Sequence, residues 1–75
     1  MRHDEHDLTP RQRDVYDYIV HFKQTNGYAP TMREIATGII TSRSFARECV
    51  HVLVDKQIIR YNPKTFRSIV ILKFL

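Results

Sequence analysis

The chain has one cysteine, Cys49, in 75 residues, so no disulfide can close within it. A lone thiol suits a reducing compartment. No stretch approaches the ~20 consecutive apolar residues that a membrane span requires, and no apolar N-terminal segment reads as a secretory signal. These absences favour a cytoplasmic protein without membrane contact. There is no internal repeat, low-complexity tract or interdomain linker. One compact domain is the limit at this length, because so short a chain buries only about 60% of its unfolded surface. An elaborate catalytic cleft is therefore not expected. Cys49 and His51 are two positions apart on a helical pattern, where side chains diverge, and no third group completes a nucleophilic site. The reading is a non-enzyme without cofactor.

Twelve Lys plus Arg stand against eight Asp plus Glu, giving a formal charge of +4. The excess is local: residues 33–67 alone carry +4, whereas the first 32 residues net to −1. This asymmetry points to an anionic partner. Residues 1–7 are polar, charged and aperiodic, which reads as a disordered tail. His3 and His6 lie there without a third ligand in register, so no metal site is expected.

Leu8-Thr9-Pro10-Arg11-Gln12 is a helix start. Thr9 can cap, Pro10 fits the first helical position, and Gln12 completes a capping box. Val15, Ile19 and Phe22, with Tyr18 beside them, form an apolar stripe at helical spacing. Gly27 suits a left-handed C-cap, and Tyr28-Ala29-Pro30 continues extended. Thr31-Met32-Arg33-Glu34 opens a second helix with another capping box, turns Met32, Ile35 and Ala36 inward, and ends at Gly38. Thr41-Ser42-Arg43-Ser44 supplies turn and cap chemistry before a third helical pattern of Ala46, Val50, Leu53 and Val54, ending near Lys56-Gln57. Ile58–Tyr61 and Ser68–Leu72 are β-branched and apolar, and they flank the turn Asn62-Pro63-Lys64-Thr65. Residues 8–75 are thus expected to form a mainly α domain with a small β-hairpin. Three helices, with a helix-turn-helix in the second and third, plus a wing make a winged helix-turn-helix.

The stretches Leu8-Thr9-Pro10-Arg11-Gln12-Arg13 and Asn26-Gly27-Tyr28-Ala29-Pro30-Thr31-Met32-Arg33-Glu34-Ile35-Ala36 resemble the two hallmark segments of the N-terminal DNA-binding domain of LexA-type bacterial repressors. Leu53 to Arg60 is similar to that family's exit from the recognition helix into the wing, so the likeness spans roughly residues 8 to 72. It implies a winged helix that binds double-stranded DNA as a transcriptional regulator, bacterial or phage-encoded. The sequence departs from the family in two places. The link Thr37-Gly38-Ile39-Ile40-Thr41 is one residue shorter than the usual Ala-Leu-Gly-Leu-Ser type of turn, with its glycine earlier, and the third helix lacks the common Ser-Pro start. Full-length LexA-type repressors continue into a self-cleaving domain, whereas this chain offers no assignable Ser-Lys pair, so self-cleavage is not expected.

The N-terminal part of a recognition helix approaches base edges in the major groove. Aligned with the family's base-reading positions, Ser42, Ser44, Phe45, Arg47 and Glu48 face that groove and Arg43 lies near a phosphate. Arg47 can bond both acceptors of guanine, Glu48 can accept from cytosine, and Phe45 can meet a thymine methyl or else belong to the core. For Arg47 and Glu48 the alternative is an ordinary solvated helix face. His51 lies one turn on and is either a phosphate contact or a neutral surface histidine. Lys64 at the wing tip, with Arg60 and Arg67 on its strands, is placed to meet the backbone. Arg33 is either a phosphate contact or a partner of Asp14 or Asp17. The four tyrosines are spread over separate elements and read as core-edge residues, which disfavours single-strand binding.

The competing reading is a protein-binding module, an antirepressor or inhibitor of a host or phage protein. A homodimer is expected on DNA. The terminal strand Ser68–Leu75 has two apolar faces, of which only one can cover the helices. Ile69, Ile71 and Phe74 are its candidate interface residues, unless Phe74 and Leu75 fold back over the chain's own core.

Overall fold

The computed structural model describes residues 8–75; the expected tail and its His3/His6 pair lie outside them. Helix α1 spans Pro10–Asn26, α2 Met32–Gly38 and α3 Arg43–Asp55, and strands β1 (Ile59–Arg60) and β2 (Val70–Ile71) follow. The strands pair antiparallel, Ile59 with Ile71 and Arg60 with Val70. Three helices closed by a hairpin are a winged helix-turn-helix.

Both capping boxes form. Thr9 Oγ1 accepts from the Gln12 amide, and the Gln12 side chain accepts from the Thr9 amide. Thr31 and Glu34 repeat the arrangement at α2. Each satisfies two amides that a helix start leaves without partners. Gly27 ends α1 at φ 82°, in the left-handed region that glycine enters without a Cβ penalty.

The core joins Val15, Tyr16 and Ile19 of α1, Ile35 and Ala36 of α2, and Ala46, Cys49, Val50 and Leu53 of α3 to Ile58, Ile59 and Ile69 of the hairpin. Each fully buried Ile, Leu or Val is worth roughly 1.5–3 kcal/mol, so the contacts of α3 with α1 and α2 hold it in place. Tyr16, rather than Phe22, completes the inner face of α1. Its hydroxyl donates to the Lys73 carbonyl and accepts from the Leu75 amide, at 3.1 and 2.7 Å. Phe22 sits between the rings of Tyr18 and Tyr28, at centroid distances of 5.8 and 5.9 Å.

The hairpin differs from expectation. Its ladder is two residues per strand, and the connection runs over residues 61–69. Side chains replace the missing ladder: the Asn62 amide donates to Ser68 Oγ, which donates back to the Asn62 carbonyl. Arg67 is consequently not on a strand but in a left-handed conformation, φ 53°. Ile69 is 3% exposed and belongs to this chain's own core, so it is not an interface residue, and Ile71 is partly buried against the same core. The exposed apolar residues of the terminal segment are instead Val70, Leu72, Phe74 and Leu75.

Candidate nucleic-acid interface

The site is built on α3. Ser42 caps it, its hydroxyl accepting from the Phe45 amide at 3.1 Å. Ala46, Cys49, Val50 and Leu53 face the core, which leaves Arg43, Ser44, Arg47, Glu48 and His51 along the exposed side at helical spacing. The first turn holds no acidic residue, so the positive end of the helix dipole is uncompensated there. Phe45 is half-buried and packs against the core. It therefore supports α3 instead of standing free on the reading face. Burial pushes the Cys49 thiol above its ordinary pKa.

A groove of ≈ 430 Å³ separates α3 from the wing, with the start of α2 forming its third wall. Arg33 of α2, Arg43 and Arg47 of α3 and Lys64 of the wing all line it. All four are exposed, and none forms an ion pair among the described residues. The carboxylates considered for Arg33 are engaged elsewhere: Asp14 with Arg11 at 3.0 Å and Asp17 with Arg13 at 3.2 Å. His51 lies apart, lining a smaller recess with Val54, Asp55, Tyr61 and Pro63. Arg60, Ser42, Ser44 and Glu48 do not line the groove.

Arg67 also borders the groove but is committed inward. Its guanidinium donates to both oxygens of Glu34, at 2.8 and 3.1 Å, and to the Ala29 carbonyl at 2.9 Å. It also lies 4.5 Å from the Tyr28 ring centroid. The Arg67 hydrogen bonds, followed by the Thr31 amide, hold the Glu34 carboxyl below its ordinary pKa. Arg67 is thus a strut between wing and α2, with its donors directed at the protein, in place of the expected phosphate contact.

The turn before α3 is held from α1. Arg11 donates to the Ile39 carbonyl at 2.7 Å, and the Tyr18 ring rests on Gly38 so closely that any Cβ there would collide with it. This role of Arg11 is not legible in the sequence, because Ile39 lies 28 positions away. The only signal was its place in the first turn of α1, where a long side chain has room to reach another element.

A family described as LexA DNA binding domain matches residues 5–68. Among similar proteins, the LexA repressor of Staphylococcus haemolyticus (strain JCSC1435) is 39% identical over 64 residues, covering 84% of this chain and 31% of that protein. The LexA repressor of Thermosipho africanus (strain TCF52B) is 40% identical over 67 residues, 89% of this chain and 34% of its own length. That of Koribacter versatilis (strain Ellin345) is 33% identical over 67 residues. The chain belongs to the LexA DNA-binding domain family. It spans about a third of the length of these relatives.

The turn between α2 and α3 has a clear geometry. The Thr41 amide bonds to the Ala36 carbonyl at 2.8 Å and the Ile40 amide to that of Thr37 at 3.3 Å. This is a Schellman ending, which places Ile40 in the left-handed position, φ 58°. A β-branched side chain is strained there, and Ile40 recovers nothing by burial, being 88% exposed. The LexA-type domain here therefore has its only turn glycine at Gly38, where Tyr18 needs the space. The left-handed position two residues later falls to an isoleucine.

Proposed function

We propose that this LexA-family domain is a sequence-specific double-stranded DNA-binding regulator, repressor-like, with the exposed side of α3 in the major groove and the wing along the adjacent backbone. One observation carries the reading: Arg33, Arg43, Arg47 and Lys64, from three separate elements, converge on one groove beside that helix face, and among the described residues no carboxylate pairs with them. Four cations without an ion pair among the described residues, grouped beside the uncompensated N-terminus of α3, suit a polyanion. Arg47 and Glu48, with Ser44 beside them, are the base readers, while Arg33, Arg43 and Lys64 hold phosphates. The names of the similar proteins, LexA repressors, agree.

One short recognition helix covers few base pairs, so we assign binding to a pair of chains on a two-fold site. The second copy is the occupant of the exposed Val70, Leu72 and Phe74 face, beside a β2 edge that has no strand partner among the described residues. Phe74→Ser leaves the backbone bonds to Tyr16 in place and should lower both the mass of the protein–DNA complex and its affinity. Retention of both would rule this interface out.

Unbiased selection from random duplexes tests the function. Enrichment of a two-fold symmetric sequence is the expected result, and retention of all duplexes alike would reject sequence-specific regulation.

A further inference from the structure

Phe66 is 76% exposed on the wing, within the lining of the groove that holds Arg33, Arg43, Arg47 and Lys64. A phenylalanine so exposed adds little to the core, yet this one is not loosely held. Its loop is clasped at the base by the reciprocal Asn62–Ser68 bonds. Asn62 Oδ1 also accepts from the Lys64 amide, and Asn62 Nδ2 donates to Thr65 Oγ1, both at 3.0 Å. The ring centroid lies 4.8 Å from the Arg67 guanidinium carbon, and that guanidinium is itself fixed by Glu34 and the Ala29 carbonyl. Cation–π contact with an anchored arginine restricts the ring before any ligand arrives.

Resting on the DNA reading above, we propose that Phe66 is a DNA-contacting residue of the wing, an apolar wedge that seats in the minor groove next to the site read by α3. Lys64, two residues away, meets the phosphate wall of that groove. Phenyl rings enter minor grooves against deoxyribose and partly unstacked base steps. Such a contact displaces no counterion, so its contribution does not depend on salt, unlike that of Lys64.

The test measures affinity for the duplex enriched by selection over a range of salt concentrations, for the wild type, Phe66→Ala, Phe66→Leu and Lys64→Ala, together with the thermal melting of each protein. Phe66→Ala should bind about tenfold more weakly at every salt concentration, with an unchanged salt slope and an unchanged melting temperature, and Phe66→Leu should recover part of the loss. Lys64→Ala should flatten the slope. If Phe66→Ala binds as the wild type does while Lys64→Ala is impaired, the wedge is wrong and the DNA reading stands. A loss of affinity that follows a lowered melting temperature would reduce Phe66 to a cover for the Arg67–Glu34 pair. A wild-type protein that retains no duplex even at low salt overturns the DNA reading and the wedge with it.

Discussion

Two sets of arginines border α3 and the turn before it, and the structure uses them in opposite ways. On the scaffold side, Arg11 bonds Asp14 and the Ile39 carbonyl, and Arg67 bonds Glu34 and the Ala29 carbonyl. On the groove side, Arg33, Arg43 and Arg47 have no such partners among the described residues. The residue type is the same, and the difference lies in what stands within 3 Å of each guanidinium. The Ala29 carbonyl and the capping carboxylate of Glu34 convert Arg67 into part of the fold, whereas solvent leaves Arg47 available to a ligand. Charge counted along the chain cannot separate the two sets.

The scaffold side should break first. Gly38→Val forces the Tyr18 ring off the end of α2 and should cost about 2–3 kcal/mol, as overpacking of a close contact does. Denaturant unfolding checks this. Combining it with Tyr18→Ala should recover part of the loss, because the two changes act on one contact. If Gly38→Val alone melts like the wild type, Tyr18 does not hold the turn.

On the groove side, Arg47→Ala should leave stability unchanged while costing about 1–3 kcal/mol on the preferred duplex and relaxing preference at one base pair. Equal losses on preferred and random duplexes would remove Arg47 from base reading.

A smaller change of opposite sign is expected at the turn. Ile40→Gly releases a β-branched residue from the left-handed region and should stabilise the domain by about 1 kcal/mol, a shift of several degrees in melting temperature for a domain of this size. Destabilisation would mean that Ile40 contributes packing absent from this structure.

The smallest effect is one of pH. The Glu34 carboxyl is held below its ordinary value mainly by the Arg67 hydrogen bonds. Its contribution is thus present above the unfolded carboxyl pKa of about 4.3 and is lost as pH falls through the folded value. Stability measured from pH 7 down to acid should fall more in the wild type than in Glu34→Gln. Parallel curves would show that the Arg67 pair does not discriminate the charged carboxylate.

The elements were legible because their signals are local. Thr9 with Gln12, Thr31 with Glu34 and Gly27 fix helix ends through bonds spanning three or four residues. The helix-turn-helix and wing order followed from the periodicity between them. The role of Arg67 was not legible, since Glu34 and Ala29 lie 33 and 38 positions away in sequence. The short ladder escaped for a related reason: β-branched Ser68–Leu72 reads as strand, but the Asn62–Ser68 side-chain bonds and the left-handed Arg67 take over its first part. On the terminal segment, alternation showed that one face must be exposed without showing which. Ile69 and Ile71 were expected at the interface with Phe74, and burial of Ile69, with Ile71 packed beside it, leaves Val70, Leu72 and Phe74 as the exposed face instead.

The division between spent and free cations is tested most directly by the salt slope of duplex binding, measured for proteins shown by circular dichroism to be folded. Arg33→Ala, Arg43→Ala and Lys64→Ala should each reduce the magnitude of the slope by about 0.9 per lost phosphate contact, and Arg67→Ala should leave it unchanged. A reduced slope in Arg67→Ala, with unchanged slopes in the other three, would contradict the account.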